Sequence, residues 1–249
     1  MSEHIIITDD GPIRTIQMNR PDKKNALTTE MYEAMAEGIR SAGASAAIRC
    51  VVIKGVPGAF CAGNDLHEFL AVARGGQHGI GGRMLINALV RSERPLVAAV
   101  GGIAVGIGTT MCLHCDHVVA SSDARFSTPF ASLGLVPEAG SSLLAPRLMG
   151  YQRAFSLLGM ARPLDAAAAQ AAGLVNTVIA ADQLEAASMQ AAREIAALPP
   201  QAVAETRRLL RGSADDVLAR IDEELTVFGA RLKSDEARAA LECFINRKR

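Results

Sequence analysis

The sequence has no excess of charge of either sign: across 249 residues, 26 Lys and Arg stand against 26 Asp and Glu. A general nucleic-acid binder draws its affinity from a basic surplus, so no such partner is expected, although a local basic patch can still hold a small phosphorylated ligand. No cysteine framework is legible either. Cys50, Cys61, Cys112, Cys115 and Cys243 form an odd set, and the start Met1-Ser2-Glu3-His4 lacks the basic segment and apolar run of a signal peptide. The expectation is a reduced, cytoplasmic protein. Internal repeats and low-complexity linkers are also missing, and with 49% hydrophobic and 21% charged residues the composition excludes disorder and extended coiled coil. A chain of this length buries about three quarters of its unfolded surface, enough for a sizeable core.

Long uncharged runs are scarce. One, residues 95–113, has nineteen residues without charge, and its Gly102 and Gly106 carry the spacing of a membrane helix pair. The Pro95 start, four glycines and β-rich Leu96-Val97-Ala98-Ala99-Val100 instead predict a buried strand, a tight turn and a helix inside a water-exposed protein, with no membrane span. Ile5-Ile6-Ile7 and residues 13–18 flank Asp9-Asp10-Gly11 as a hairpin, with further strands at residues 50–54 and near 117–120. Between them Met31, Ala34, Met35 and Ile39 share one helical face. This strand, helix, strand alternation predicts an α/β core with mostly parallel pairing. After Asp182 the chain reads as successive helices, broken at Pro199-Pro200 and Gly212. Ser213 and Asp216 are spaced as a capping box before an apolar stripe of Val217, Leu218, Ile221, Leu225, Phe228 and Leu232. Either the chain's own core or a neighbouring subunit must cover that stripe.

Several chemistries fail on spacing. The glycines of residues 102–108 match a dehydrogenase nucleotide loop, but such a loop belongs to the first strand-helix unit, and neither Tyr32 nor Tyr151 has a lysine four positions later. Cys112-Leu113-His114-Cys115-Asp116-His117 has the look of a metal cluster, yet no second close ligand pair accompanies it, and small buried helix cysteines are the plainer reading. His4, His67 and His78 lie in polar surroundings, and no serine stands in a G-x-S-x-G elbow. What remains is a pair of backbone-rich corners. Gly58-Ala59-Phe60-Cys61-Ala62-Gly63-Asn64-Asp65-Leu66 follows one strand, and the residue 102–108 turn places N–H groups at a helix start, which is half of an oxyanion hole.

Asn19-Arg20-Pro21 with Asn25-Ala26-Leu27, the residue 60–66 turn, the residue 102–108 turn, Gly134-Leu135-Val136-Pro137-Glu138-Ala139-Gly140 and Ala172-Gly173-Leu174-Val175 occur in this order. Over residues 13–200 this resembles the crotonase superfamily, the enoyl-CoA hydratase/isomerase family. The resemblance implies a spiral of ββα units over residues 1–198 and a helical region, residues 199–249, that builds homotrimers or dimers of trimers. It places the residue 217–232 stripe at that interface. The implied ligand is an acyl-CoA thioester, with coenzyme A part of the substrate and no metal or nicotinamide required.

By the same resemblance, the backbone N–H groups of Asn64 and Ile107 hold the thioester oxygen, while Lys24, Ala26, Ala62, Asp65, Leu66, Phe130 and Leu133 line the substrate. Lys23 and Lys24 have two open readings, contact with coenzyme A phosphates or a solvated basic loop. The departures from the hydratase pattern are informative. Thr110 and Phe130 stand where hydratases carry their two glutamates, and Glu138 stands where isomerising members carry one. Glu138 as base is the favoured reading, because flanking Leu133, Leu135 and Val136 raise a carboxyl pKa; the alternative is a helix-start carboxylate stabilised by the dipole. The expected activity is 3-enoyl-CoA to 2-enoyl-CoA isomerisation. Enoyl-CoA hydration and non-catalytic acyl-CoA binding are the alternatives.

Overall fold

Strands that read as unbroken apolar runs belong in a sheet covered on both faces, because each successive side chain then meets a different apolar layer. A computed structural model, which describes residues 2–65, 68–69 and 81–246, has that arrangement. The hairpin β1 (Ile5–Asp10) and β2 (Ile13–Met18) leads into α1 (Thr29–Ala44), whose start is capped by the Thr28 hydroxyl accepting from the Met31 N–H. Then β3 (Cys50–Lys54) and β4 (Ala59–Cys61) precede α2 (Gly81–Val90). The next unit is β5 (Leu96–Val100), β6 (Ile103–Val105) and a single turn, α3 (Ile107–Thr110). A third follows as β7 (His117–Ser121), β8 (Arg125–Ser127), α4 (Ser141–Met149) and α5 (Tyr151–Leu158). The spiral closes with β9 (Leu164–Asp165), α6 (Ala166–Ala171) and β10 (Thr177–Ile179).

Each unit sends its first strand to one sheet and its second to another. One sheet has the order β1-β2-β3-β5-β7-β10, parallel from β2 onward, and the other β4-β6-β8-β9. This is a spiral of ββα turns, and it stacks the ends of β4 and β6 side by side. Val51, Ile53, Leu96, Ala98 and Val100 point into the central core. Cys50, Val52, Val97 and Ala99 point the other way, onto Ala192 and Ala196 of α7 (Leu184–Ala197). The uncharged segment at residues 95–113 is thus β5, β6, α3 and the start of the following 3-10 turn. Among the described residues no helix is long and apolar enough to cross a membrane.

The C-terminal helices α8 (Pro200–Arg211) and α9 (Ala214–Leu232) begin where Pro200 and the Ser213 cap predict, and α10 (Asp235–Asn246) follows them. The stripe on α9 corrects one expectation. Val217, Ile221, Phe228 and Leu232 are buried in the chain's own core, with Leu218 and Leu225 partly buried at its margin, so the chain itself covers most of the stripe that was expected at a subunit interface. Phe228 meets Phe69 edge-on, ring centroids 5.9 Å apart. At about 1.5–3 kcal/mol for each large apolar side chain, this burial is reason enough for the stripe.

Candidate active site

The parallel pair β4 and β6 matches Ala59 with Ile103 and Cys61 with Ala104, so the chain leaving each strand emerges beside the other. Contact there is too close for side chains. A Cβ on Gly63, whose φ is +92°, would lie 3.1 Å from the Val105 carbonyl oxygen, and one on Gly108 would lie 2.7 Å from that of Cys61. Gly63 O accepts from Leu27 N–H at 2.8 Å and Asp65 N–H donates to Leu27 O at 2.9 Å, which turns the intervening Asn64 N–H away from Leu27. Ile107 opens α3, so its N–H has no partner within the helix. Neither N–H donates to a described residue. Two preorganised donors therefore stand at adjoining strand ends.

Side chains lock this corner from behind. Asn25, fully buried with φ +58°, donates through Nδ2 to Ala59 O at 2.8 Å and Phe60 O at 3.1 Å, and its Oδ1 accepts from Arg20 N–H. Arg20 in turn binds Asp65 at 2.7 Å and Ala26 O at 2.9 Å, and Ala62 N–H donates to Lys24 O. The Asn-Arg-Pro and Asn-Ala-Leu pieces are thus the mortar of the residue 60–65 turn, and the Asp65 carboxylate is engaged by Arg20. From α1, the Tyr32 hydroxyl donates to Asn64 Oδ1 at 2.6 Å. Nothing in the sequence spacing marked Tyr32 for this place.

The second corner is Glu138. Its carboxylate is 8% exposed and accepts from the Thr110 hydroxyl at 2.7 Å. Thr110 is one helical turn beyond Ile107, about 4.5 Å along the axis, so α3 carries a backbone N–H donor at one end and the anchor of Glu138 at the other. Burial drives the Glu138 pKa up to about 7, against the stabilising Thr110 bond and with help from the Glu224 charge. Burial also pushes the Tyr32 phenol well up, with the Glu138 charge adding to it.

The turn that presents Glu138 is held on both sides. Ala139, at φ +59°, offers its carbonyl to His114 Nε2 at 2.7 Å; since a carbonyl only accepts, that nitrogen carries the proton. Burial lowers the His114 pKa to about 4, so the ring is neutral. On the other side Glu224 of α9 accepts from Gly140 N–H at 2.6 Å and Ser142 N–H at 2.9 Å. The dipole reading of Glu138 is corrected by this contact: the start of α4 is occupied by Glu224, while the Glu138 side chain turns to Thr110.

The cysteine and histidine cluster dissolves in the same way. Cys112 and Cys115 donate to carbonyls one turn back on their own helical segment, at Gly108 and Met111, and His114 serves the Glu138 turn. Among the described residues no group of three His, Cys, Asp or Glu is placed to hold a metal. Phe130 is buried in the core, Leu133 is half-buried against it, and Lys23 and Lys24 are exposed. Leu66, His67 and His78 lie outside the described residues.

Comparison with known proteins gives a consistent result. The family described as enoyl-CoA hydratase/isomerase matches residues 9–249. Enoyl-CoA delta isomerase 2 of Rattus norvegicus is 34% identical over 99% of this chain, which spans 64% of that relative's length. The short-chain-enoyl-CoA hydratase of Clostridium acetobutylicum is 29% identical over 99% of this chain and 96% of its own. A crystal structure of an enoyl-CoA hydratase/isomerase from Pseudoalteromonas atlantica T6c superposes with a TM-score of 0.93 at 36% identity, covering 98% of both chains.

Proposed function

Because the chain belongs to the enoyl-CoA hydratase/isomerase family, we propose that it moves a carbon–carbon double bond, converting 3-enoyl-CoA to trans-2-enoyl-CoA. The carboxylate of Glu138 removes a proton from C2, the electron pair delocalises over the dienolate, and the thioester oxygen takes the negative charge. Asn64 and Ile107 N–H groups stabilise that oxygen, each worth on the order of 3 kcal/mol in a preorganised site. The same carboxyl group returns the proton to C4, so no atom is gained or lost. One group with a pKa near neutrality suits both halves of this cycle, because it must be a base and then an acid of nearly equal strength.

The observation that carries this reading is the carboxyl inventory. Glu138 is a buried carboxyl with a pKa raised to about 7, while the buried carboxyl nearest in role, Glu224, is committed to two backbone N–H groups. Hydration asks one group to deprotonate water and another to protonate carbon, and Thr110 spends its hydroxyl on Glu138. Phe130 offers no proton.

The test is turnover of 3-hexenoyl-CoA and crotonyl-CoA by wild type and Glu138→Gln. Wild type should isomerise the first far faster than it hydrates the second, and the variant should lose about a hundredfold to ten-thousandfold of the isomerisation while still binding coenzyme A. Equal rates on both substrates, or an active Glu138→Gln, would overturn the proposal. Deuterium exchange at C2 of a bound acyl-CoA separates both enzyme readings from a non-catalytic binder, which shows none.

A further inference from the structure

A helix start stabilises whichever anion its N–H groups reach, and α4 begins within three residues of Glu138. If those donors met Glu138, they would favour its charged form and weaken it as a base. They meet Glu224 instead, from a helix more than eighty residues further along the chain. Glu224 is itself 6% exposed, and a Cβ on Gly140 would come within 3.2 Å of Val217 on the same helix α9, so the glycine lets that helix pack close to the turn. We infer that Glu224 is a positioning residue for Glu138: by accepting the Gly140 and Ser142 N–H groups it claims the start of α4, fixes the turn, and keeps that helix end from stabilising the Glu138 anion.

The inference rests on Glu138 being the base. Around Glu138, α3 contributes the Thr110 hydroxyl, α1 contributes Tyr32 and β4 contributes Cys61, both uncharged at neutral pH because burial raises their pKa. Neutral His114 reaches the turn through Ala139 O, and α9 contributes Glu224 together with Arg220, which reaches Ser142 Oγ at 3.5 Å and pairs with Glu223. Among these described groups Glu224 is the charge in direct contact with the turn's backbone, and its negative sign adds to the elevation of the Glu138 pKa.

The experiment measures kcat, KM and the pH profile of kcat/KM on 3-hexenoyl-CoA for wild type, Glu224→Gln, Glu224→Asp and Glu138→Gln, with folding checked by circular dichroism. Glu224→Gln keeps the shape and removes the charge, so the acid limb should move to lower pH and kcat at pH 8 should fall roughly tenfold, with KM within about twofold. A residue that only capped the helix would lower Tm and leave the limb in place. Folded Glu224→Gln with the wild-type limb and kcat therefore overturns the inference. If that variant does not fold, Glu224→Asp, which retains the charge at shorter reach, should keep the limb and lose kcat; wild-type kcat there overturns it equally. An inactive Glu138→Gln alongside an unchanged Glu224→Gln would sink the role of Glu224 alone, whereas an active Glu138→Gln would sink the base reading beneath it.

Discussion

The corner that holds Asn64 and Ile107 is made of backbone, and the corner that holds Glu138 is made of side chains. In the proposed mechanism the first acts through N–H groups every residue but proline owns, so what the fold must secure is close approach of two chain segments. In the second, the proposed base is one carboxyl whose environment is assembled by α3, α9 and His114. Function at the backbone corner is lost by adding atoms where there is no room. At the side-chain corner it is lost by removing them.

Beyond the loss already expected of Glu138→Gln, the largest effect of this contrast is at Gly108. A Cβ there would press on the Cys61 carbonyl oxygen at 2.7 Å and on Cys61 Cβ at 2.8 Å, and neither is the free end of a flexible side chain. Gly108→Ala should push the Ile107 N–H out of line and lower kcat/KM on a 3-enoyl-CoA by on the order of a hundredfold, the usual loss for one oxyanion donor. Asn64→Ala, at a position that supplies its donor from the backbone, should lose about tenfold or less, through the broken Tyr32 bond. Should Asn64→Ala prove the more damaging, the side chain and not the backbone would be the working part of that corner.

Next in size is an effect on stability, where the two buried titratable groups of the second corner pull in opposite directions. The folded pKa of Glu138, about 7, is above the unfolded value of 4.5, so the stability it contributes is present below 4.5 and is lost as pH rises through 7. For His114 the folded value, about 4, is below 6.5, so its contribution is present above 6.5 and is lost as pH falls through 4. Between 4.5 and 6.5 the two slopes cancel. Glu138→Gln should therefore unmask a stability that climbs with pH over that window, and at pH 8 should exceed wild type by up to about 3 kcal/mol. Urea unfolding at pH 5, 6.5 and 8 measures this; a variant less stable than wild type at pH 8 would mean that ionised Glu138 is no strain on the fold.

The same contrast explains what the sequence disclosed. Gly63 and Gly108 were legible because close backbone approach needs a specific residue type at a specific offset from a strand. Glu138 was legible as an acid in a small-residue turn between apolar neighbours. His114 was visible only as part of a misleading metal-like spacing, and Glu224 and Tyr32 looked like ordinary members of amphipathic helices, since the contacts that give them roles cross 25, 84 and 32 residues of chain. Helix periodicity says which face is buried, not which partner it meets. For that reason the pattern of the α9 stripe, plain in the sequence, left its cover open between two choices: apolar side chains do not distinguish the core of their own chain, which buries Val217, Ile221, Phe228 and Leu232, from a neighbour's surface.

The smallest effect, and the one that sharpens the contrast most, is expected at Thr110. Its hydroxyl donates to Glu138 at 2.7 Å and opposes the rise in the carboxyl pKa that burial imposes. Valine has nearly the same shape without the hydroxyl, so Thr110→Val should leave α3 and the Ile107 donor in place while removing the bond to the anion. The Glu138 pKa should then rise further, and the acid limb of kcat/KM should move to higher pH, opposite in direction to the shift expected for Glu224→Gln. At pH 6.5 the variant should be about tenfold slower, the ordinary worth of a hydrogen bond to a charged group. At pH 9, where Glu138 is ionised in both proteins, the variant should match or pass wild type, because a carboxylate of higher pKa is the stronger base. A uniform loss at every pH would place Thr110 in orienting the carboxyl, not in setting its charge. Unchanged kinetics throughout would mean that the base works without the bond, and that α3 serves the site through Ile107 alone.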